Sequence, residues 1–205
     1  MTITELRQTV PERFIVRFDD GAELKTTLSA VADLGLYLGK KLDEDEFRQV
    51  KAASELALCK NRATHIIGAR AVSKKELYDK LVMKGELPEN AEETVSWLES
   101  VGLLDDETYA GMVVRYYTGR SYGKRRIQNE LYRRGISRDL WEAALEELPE
   151  QDNQIDRLLA RKLSTDEPDR AELKKATDAL ARRGFSWDEI KAAVERFKNG
   201  ENEYV

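Results

Sequence analysis

The residues best suited to chemistry lie between positions 111 and 138. Gly119-Arg120-Ser121-Tyr122-Gly123-Lys124 resembles a glycine loop that cradles phosphate,. It is one residue too short between the glycines, Arg125 stands where Ser or Thr would bind magnesium, and no strand precedes it. A nucleotide site is therefore not expected. What remains is charge. Residues 111–138 carry eight basic side chains and one acid, Glu130, for a net +7. The flanking segments 1–50, 51–110 and 139–205 are net −3, −3 and −6, which leaves the whole chain at −5. A local basic block in an acidic chain points to one polyanion contact, not to a protein that coats nucleic acid along its length.

Within the block, Lys124, Arg125 and Arg126 fall in the first turn of a helix that opens after Gly123. Cations there oppose the helix dipole, at roughly 0.3–1 kcal/mol each when exposed. Helix stability would favour Asp or Glu, so these cations are assigned to a partner. A helix N-terminus flanked by Lys and Arg suits phosphate or carboxylate. Arg115, Arg120, Arg133, Arg134 and Arg138 enlarge the patch. Tyr122, with Tyr116 and Tyr117, interleaves it and could stack on bases,. Lys74 and Lys75 repeat the pattern fifty residues earlier, and Arg182 and Arg183 lie in the corresponding later stretch.

Catalysis and metal binding find little support. Asp105-Asp106 are adjacent, so they do not point together on a helix; N-capping is their expected role. Cys59 and His65 are single residues of their type, with no cluster of metal-ligand spacing,. Both are expected to pack within helices. No catalytic residue, metal or cofactor is expected, and the chain is read as a non-enzyme. No apolar run approaches the roughly 18 residues of a membrane span, and MTITELRQTV lacks a basic-then-apolar leader,. The expected location is the cytoplasm.

The elements that position these residues read as mainly α. Phe14 to Phe18 and Leu24 to Leu28 alternate around Asp19-Asp20-Gly21, which predicts a β-hairpin,. A two-stranded hairpin is marginal in water, so it must pack on something or gain a third strand. A short helix over 29–36, closed by Gly39, and a longer one opening at 43–46 follow. From about residue 50, helical spacing takes over and the chain repeats. Leu77 and Leu81, Ile127 and Leu131, and Ala176 and Leu180 precede Gly85, Gly135 and Gly184. Those glycines are 50 and 49 residues apart, each just beyond a helix end where positive φ is needed,. A second apolar stripe keeps the register: Ala91, Val95 and Leu98, then Trp141, Leu145 and Leu148, then Ile190, Val194 and Phe197,. Ser73 with Glu76 and Ser186 with Glu189 form capping boxes, and Pro88 suits a first turn. Leading helices are expected at 51–69, 106–118 and 151–163. The predicted architecture is a tandem, elongated and curved array of three three-helix repeats at 46–103, 104–149 and 150–200. A β-hairpin and short helix over 1–45 precede it, and a tail over 201–205 ends it.

The chain resembles the RecX family, bacterial regulators of the RecA recombinase. The resemblance rests on Ser73-x-x-Glu76-Leu77-x-x-Lys80-Leu81-x-x-Lys84-Gly85 and on Gly102-Leu103-Leu104-Asp105-Asp106-x-x-Tyr109-Ala110. It rests also on Tyr122-Gly123-x-x-Arg126-Ile127-x-x-Glu130-Leu131-x-x-x-Gly135-Ile136-Ser137. It covers about residues 50–200. It implies binding of RecA as the RecA–DNA filament, in its helical groove, with inhibition of filament growth, ATPase and strand exchange. Regulation of DNA repair and recombination, including the SOS response, follows from the same resemblance. A monomer that also touches single- or double-stranded DNA is expected. Two alternatives stay open: a sequence-independent DNA-binding module acting without RecA, and a helical adapter for another protein.

Overall fold

A computed structural model describes residues 1–146, 148, 152–163, 165 and 167–200. The expected 201–205 tail and the junction at 149–151 lie outside the described residues. The chain forms two compact units, Met1–Leu104 and Asp105–Val205.

The first unit opens with an antiparallel sheet of β1 (Ile3–Val10), β2 (Arg13–Phe18) and β3 (Glu23–Thr27), in that order. The expected hairpin is present as β2 and β3, with Phe14 opposite Thr26 and Val16 opposite Leu24. The third strand, β1, lacks clean alternation because its register against β2 shifts between Ile3 and Glu5 and again between Gln8 and Val10. Each irregularity flips the inward face and erases the period-two signal.

Leu28, expected at a strand end, instead begins α1 (Leu28–Asp33), because the Thr27 hydroxyl accepts from the Ala30 amide and caps the helix. The helix stops before Gly35, not Gly39; Gly39 sits in the return to the sheet, where its N–H donates to the Ile3 carbonyl at 2.8 Å.

The helix opening at Asp43 and the expected helix over 51–69 are one element, α2 (Glu44–Ala69). Asp43 and Glu46 form its capping box, and no Gly or Pro interrupts it before Gly68. Its early turns pack on the sheet through Val50 and Phe47, with Phe47 edge-on to Phe18 at 5.2 Å. Its later turns carry Cys59 and Ala63 into a second core with α3 (Lys74–Met83) and α4 (Pro88–Ser100). Cys59 is buried as expected. His65 is not a packing residue: it lies exposed, with Nδ1 2.7 Å from the Asn61 carbonyl.

The second unit holds two further three-helix cores. One joins α5 (Asp106–Thr118), α6 (Lys124–Arg133) and α7 (Asp139–Glu146). The other joins α8 (Asp152–Ala160), α9 (Arg170–Arg182) and α10 (Trp187–Lys198). The equivalent pairs Leu77/Leu81, Ile127/Leu131 and Ala176/Leu180 are buried in all three cores. Gly85, Gly135 and Gly184 take φ of 87°, 70° and 89°. Both predicted capping boxes are present.

Leu103, expected as a structural residue, is 59% exposed. Gly102, at φ 71°, reverses the chain after α4, so the Leu103 and Leu104 amides both bond the Leu98 carbonyl while only Leu104 turns inward. Asp105 N-caps α5 through the Glu107 amide, and Asp106 and Tyr109 are buried. Among the described residues no helix is long and apolar enough to cross a membrane.

Candidate nucleic-acid interface

The second repeat places the basic block on α6. Ile127 and Leu131 face the core, which turns the opposite side of the helix outward. Arg125, Asn129, Tyr132 and Arg133 occupy that outer side at spacings of four, three and one, which keep them on one face, and all four are exposed. Lys124 is exposed beside them.

Glu130, the acid of this block, points the other way. It is 3% exposed and gathers three guanidinium groups: Arg126 at 2.8 Å, Arg133 at 3.3 Å and Arg134 at 2.5 Å. Burial alone would raise its pKa, but hydrogen bonds from Arg134 and Tyr117 and the charges of Arg134 and Arg126 outweigh that and hold it below the ordinary carboxylate value,. Burial likewise disfavours the charged Arg134, yet its hydrogen bonds with Glu130, Tyr109 and Tyr117 keep its pKa raised. Arg134 is thus a packing cation under Tyr117, 5.8 Å from the ring, and not the outward contact expected of it. The block's negative charge is neutralised inside the repeat, which leaves its outer face cationic.

The N-terminus of α6 departs from expectation in an instructive way. Its N-cap, Gly123, offers no side chain. The Gly123 amide donates to the Arg183 carbonyl at 3.0 Å, and the Arg125 amide to the Gly184 carbonyl at 3.1 Å. The carbonyl end of α9, from the third repeat, caps the amide end of α6 head-to-tail. Those two amides are already satisfied, so the α6 N-terminus offers fewer free donors to a phosphate or carboxylate than the sequence suggests. The negative pole of α9 also offsets the cost of three cations in the first turn of α6.

The approach needs both glycines. A Cβ on Gly123 would lie 2.5 Å from the Gly184 carbonyl carbon, and one on Gly184 would lie 2.3 Å from the Arg126 nitrogen. Arg183 staples the joint, donating to the Arg120 and Ser121 carbonyls at 2.9 and 3.2 Å and lying 5.2 Å from the Tyr122 ring. Tyr122 also faces Arg126 at 6.0 Å and Tyr117 at 5.4 Å. Arg183 and Tyr122, expected as partner contacts, hold the joint instead.

The similarity to known proteins follows this arrangement. Residues 105–145 match the RecX second three-helix domain and residues 150–194 the third. A regulatory protein RecX of Xanthomonas campestris pv. campestris (strain B100) is 38% identical over 136 residues, which span 65% of this chain and 83% of that protein. The chain belongs to the RecX family. Another relative, the regulatory protein RecX of Clostridium perfringens (strain SM101 / Type A), is 27% identical over 211 residues, covering 100% of this chain and 98% of that one. Two solved structures share the fold. A crystal structure of regulatory protein RecX aligns with a TM-score of 0.71 at 21% identity, over 95% of this chain and 98% of its own. RecX from Lactobacillus salivarius aligns with a TM-score of 0.62 at 23% identity, over 72% and 99%.

Other predicted site residues of this RecX-family chain fall into two groups. Arg115, Arg120, Arg138 and Arg182 are exposed in the second unit. Arg120 lies over the Tyr116 ring at 4.1 Å and bonds its hydroxyl, and Arg138 lies 5.7 Å from the Trp141 ring. Lys74 and Lys75 belong to the first unit and carry acidic partners, Glu99 at 2.7 Å and Asp79 at 2.5 Å. Sequence reasoning overlooked Tyr132, 68% exposed on the cationic face of α6, and Asn129 beside it. The signal was present in their spacing from Arg125; attention to charge alone passed over it.

Proposed function

We propose that this chain is a non-enzymatic modulator of the RecA recombinase that binds the RecA–DNA filament and limits filament growth, ATPase and strand exchange. The outer face of α6 would meet DNA phosphate or an acidic RecA surface. The observation that carries the reading is the charge of that face: Lys124, Arg125 and Arg133 are exposed beside Asn129 and Tyr132, while Glu130 is turned inward. Lysine and arginine neutralise phosphate without reading sequence, asparagine can bond backbone or base, and an exposed tyrosine can stack. Membership of the RecX family supports a regulatory role.

The test is RecA ATPase on single-stranded DNA with graded amounts of this protein. Inhibition is expected, and it should weaken at least tenfold in Lys124→Glu/Arg125→Glu. Arg126 is left intact because a carboxylate there would face the buried Glu130. An inhibition curve identical to wild type would remove α6 from the contact. An absence of inhibition by the wild-type protein would overturn the RecA reading itself.

A further inference from the structure

The first compact unit carries a cleft far in sequence from the basic block. It has a volume of about 670 Å³, which is ample for a small ligand or a few residues of peptide,. The start of β2, the end of β1, α2 and the turn between α3 and α4 wall it. The sheet part of the floor comes from the face opposite the core,. Val16 and Leu24, paired across β2 and β3, are buried on the core face, whereas Ile15, paired with Lys25, shares the opposite face with Lys25 and Arg13, is half-buried and lines the cleft with Leu58,. Val10, at 52% exposure, and Leu87, at 49%, extend the apolar surface to the rim.

The charges around this floor are unbalanced. Arg13, Lys25 and Lys84 line the cleft, and none of them forms an ion pair among the described residues. Arg62 is matched by Glu86, with Nε and Oε1 at 2.6 Å, which leaves Glu55 as the other acid in the lining. The lining is therefore net positive, although residues 1–104 as a whole carry 15 basic against 18 acidic side chains. Cations spaced around an apolar floor complement a ligand that is both acidic and apolar. A nucleic-acid backbone would bring phosphates against Glu55 and Glu86 and leave Ile15, Leu58 and Leu87 unmatched.

We propose that this cleft docks a short acidic peptide segment of a partner protein, with carboxylates on Arg13, Lys25 and Lys84 and apolar side chains against Ile15, Leu58 and Leu87. This is a protein-binding surface on the first unit, independent of the proposed contact of α6. Its failure leaves the reading of α6 untouched.

The experiment uses the full chain and a fluorescein-labelled eight-residue peptide of alternating glutamate and leucine, followed by anisotropy at low salt. Saturable binding is expected. It should weaken at least tenfold in Lys25→Glu/Lys84→Glu and in Leu87→Asp, and stay within twofold in Arg125→Glu. These positions are exposed, so circular dichroism should be unchanged; Lys25→Gln/Lys84→Gln serves if the charge reversal disturbs the fold. An absence of saturable binding overturns the proposal, as does wild-type affinity in the lysine variants. Equal binding of a lysine–leucine peptide would reduce the cleft to an apolar surface without charge preference. Displacement of the peptide by a single-stranded oligonucleotide, lost in the lysine variants, would make the cleft a nucleic-acid surface instead.

Discussion

Helices α3 and α6 occupy equivalent places in the first and second repeats, yet their N-termini are satisfied in opposite ways. On α3, Ser73 and Glu76 close a capping box within the helix, and Lys74 and Lys75 have acidic partners. On α6, Gly123 supplies no side chain, and the carbonyls of Arg183 and Gly184 do the work from about sixty residues away. The first arrangement is local and would survive outside its unit. The second ties the cationic helix to the third repeat. The same core thus supports either a self-sufficient helix or one whose end is completed by a neighbour. Only the second needs glycine on both sides of the joint.

The sharpest break of this comparison is Gly184→Ala against Gly85→Ala. Both glycines have positive φ, 89° and 87°. Gly85 opens on empty space, so alanine there carries only the left-handed strain of about 1–2 kcal/mol,. Gly184 adds a collision with the α6 backbone, and its loss should exceed about 3 kcal/mol in urea unfolding of the chain,. Equal losses at the two positions would show that the joint contributes nothing. Gly123→Ser makes the same point from the other side. Serine is ordinarily a good N-cap, but here its Cβ would meet Gly184 at 2.5 Å, so the variant should be destabilised and not improved,.

Next in size is Glu130→Ala, which leaves Arg134 packed beneath Tyr117 without its carboxylate and should cost about 2–3 kcal/mol,. The same residue sets an acid limit. Its folded pKa is depressed, so its contribution is fully present above the unfolded carboxylate value and is lost as pH falls through the folded one,. Melting measured from about pH 6 down to about pH 3 should therefore fall more steeply in wild type than in Glu130→Gln, with the divergence starting near about pH 4.5. Parallel curves would locate the acid sensitivity elsewhere.

Ser73→Ala removes the local cap of α3 and should cost about 1 kcal/mol, readable as a small drop in midpoint,. The smallest stability effect belongs to Lys124→Glu/Arg125→Glu. These changes exchange exposed cations for carboxylates where the opposed poles of α6 and α9 meet and largely cancel, so stability should change by no more than a few tenths of a kcal/mol,. If DNA is the partner, the same variant should flatten the salt dependence of binding by about one phosphate contact per lost cation. A large fall in melting temperature would mean that these side chains hold the fold.

The repeat was legible because helix ends and helix faces are local properties. Glycine at 85, 135 and 184 stops a helix by its own φ preference, and Leu77/Leu81, Ile127/Leu131 and Ala176/Leu180 fall on one face by period alone,. Strand β1 was hidden because its irregular pairing breaks alternation, and the unity of α2 was hidden because one helix serves two cores. At the candidate site, charge pointed to α6 but did not separate outward cations from packed ones. Arg133 and Arg134 are neighbours in the chain, and only packing sends one to solvent and the other under Tyr117.

By itself, then, the sequence determined three glycine-stopped helical repeats, the capping boxes of α3 and α10 and the position of the basic block, since each is written in spacings of a few residues. Tertiary structure alone decided that α9 caps α6, that Arg183 and Tyr122 hold the joint, and that Glu130 withdraws the block's negative charge from its surface. The reason is physical: backbone carbonyls carry no sequence signal, and contacts between residues sixty positions apart depend on how two cores pack, not on the pattern of either.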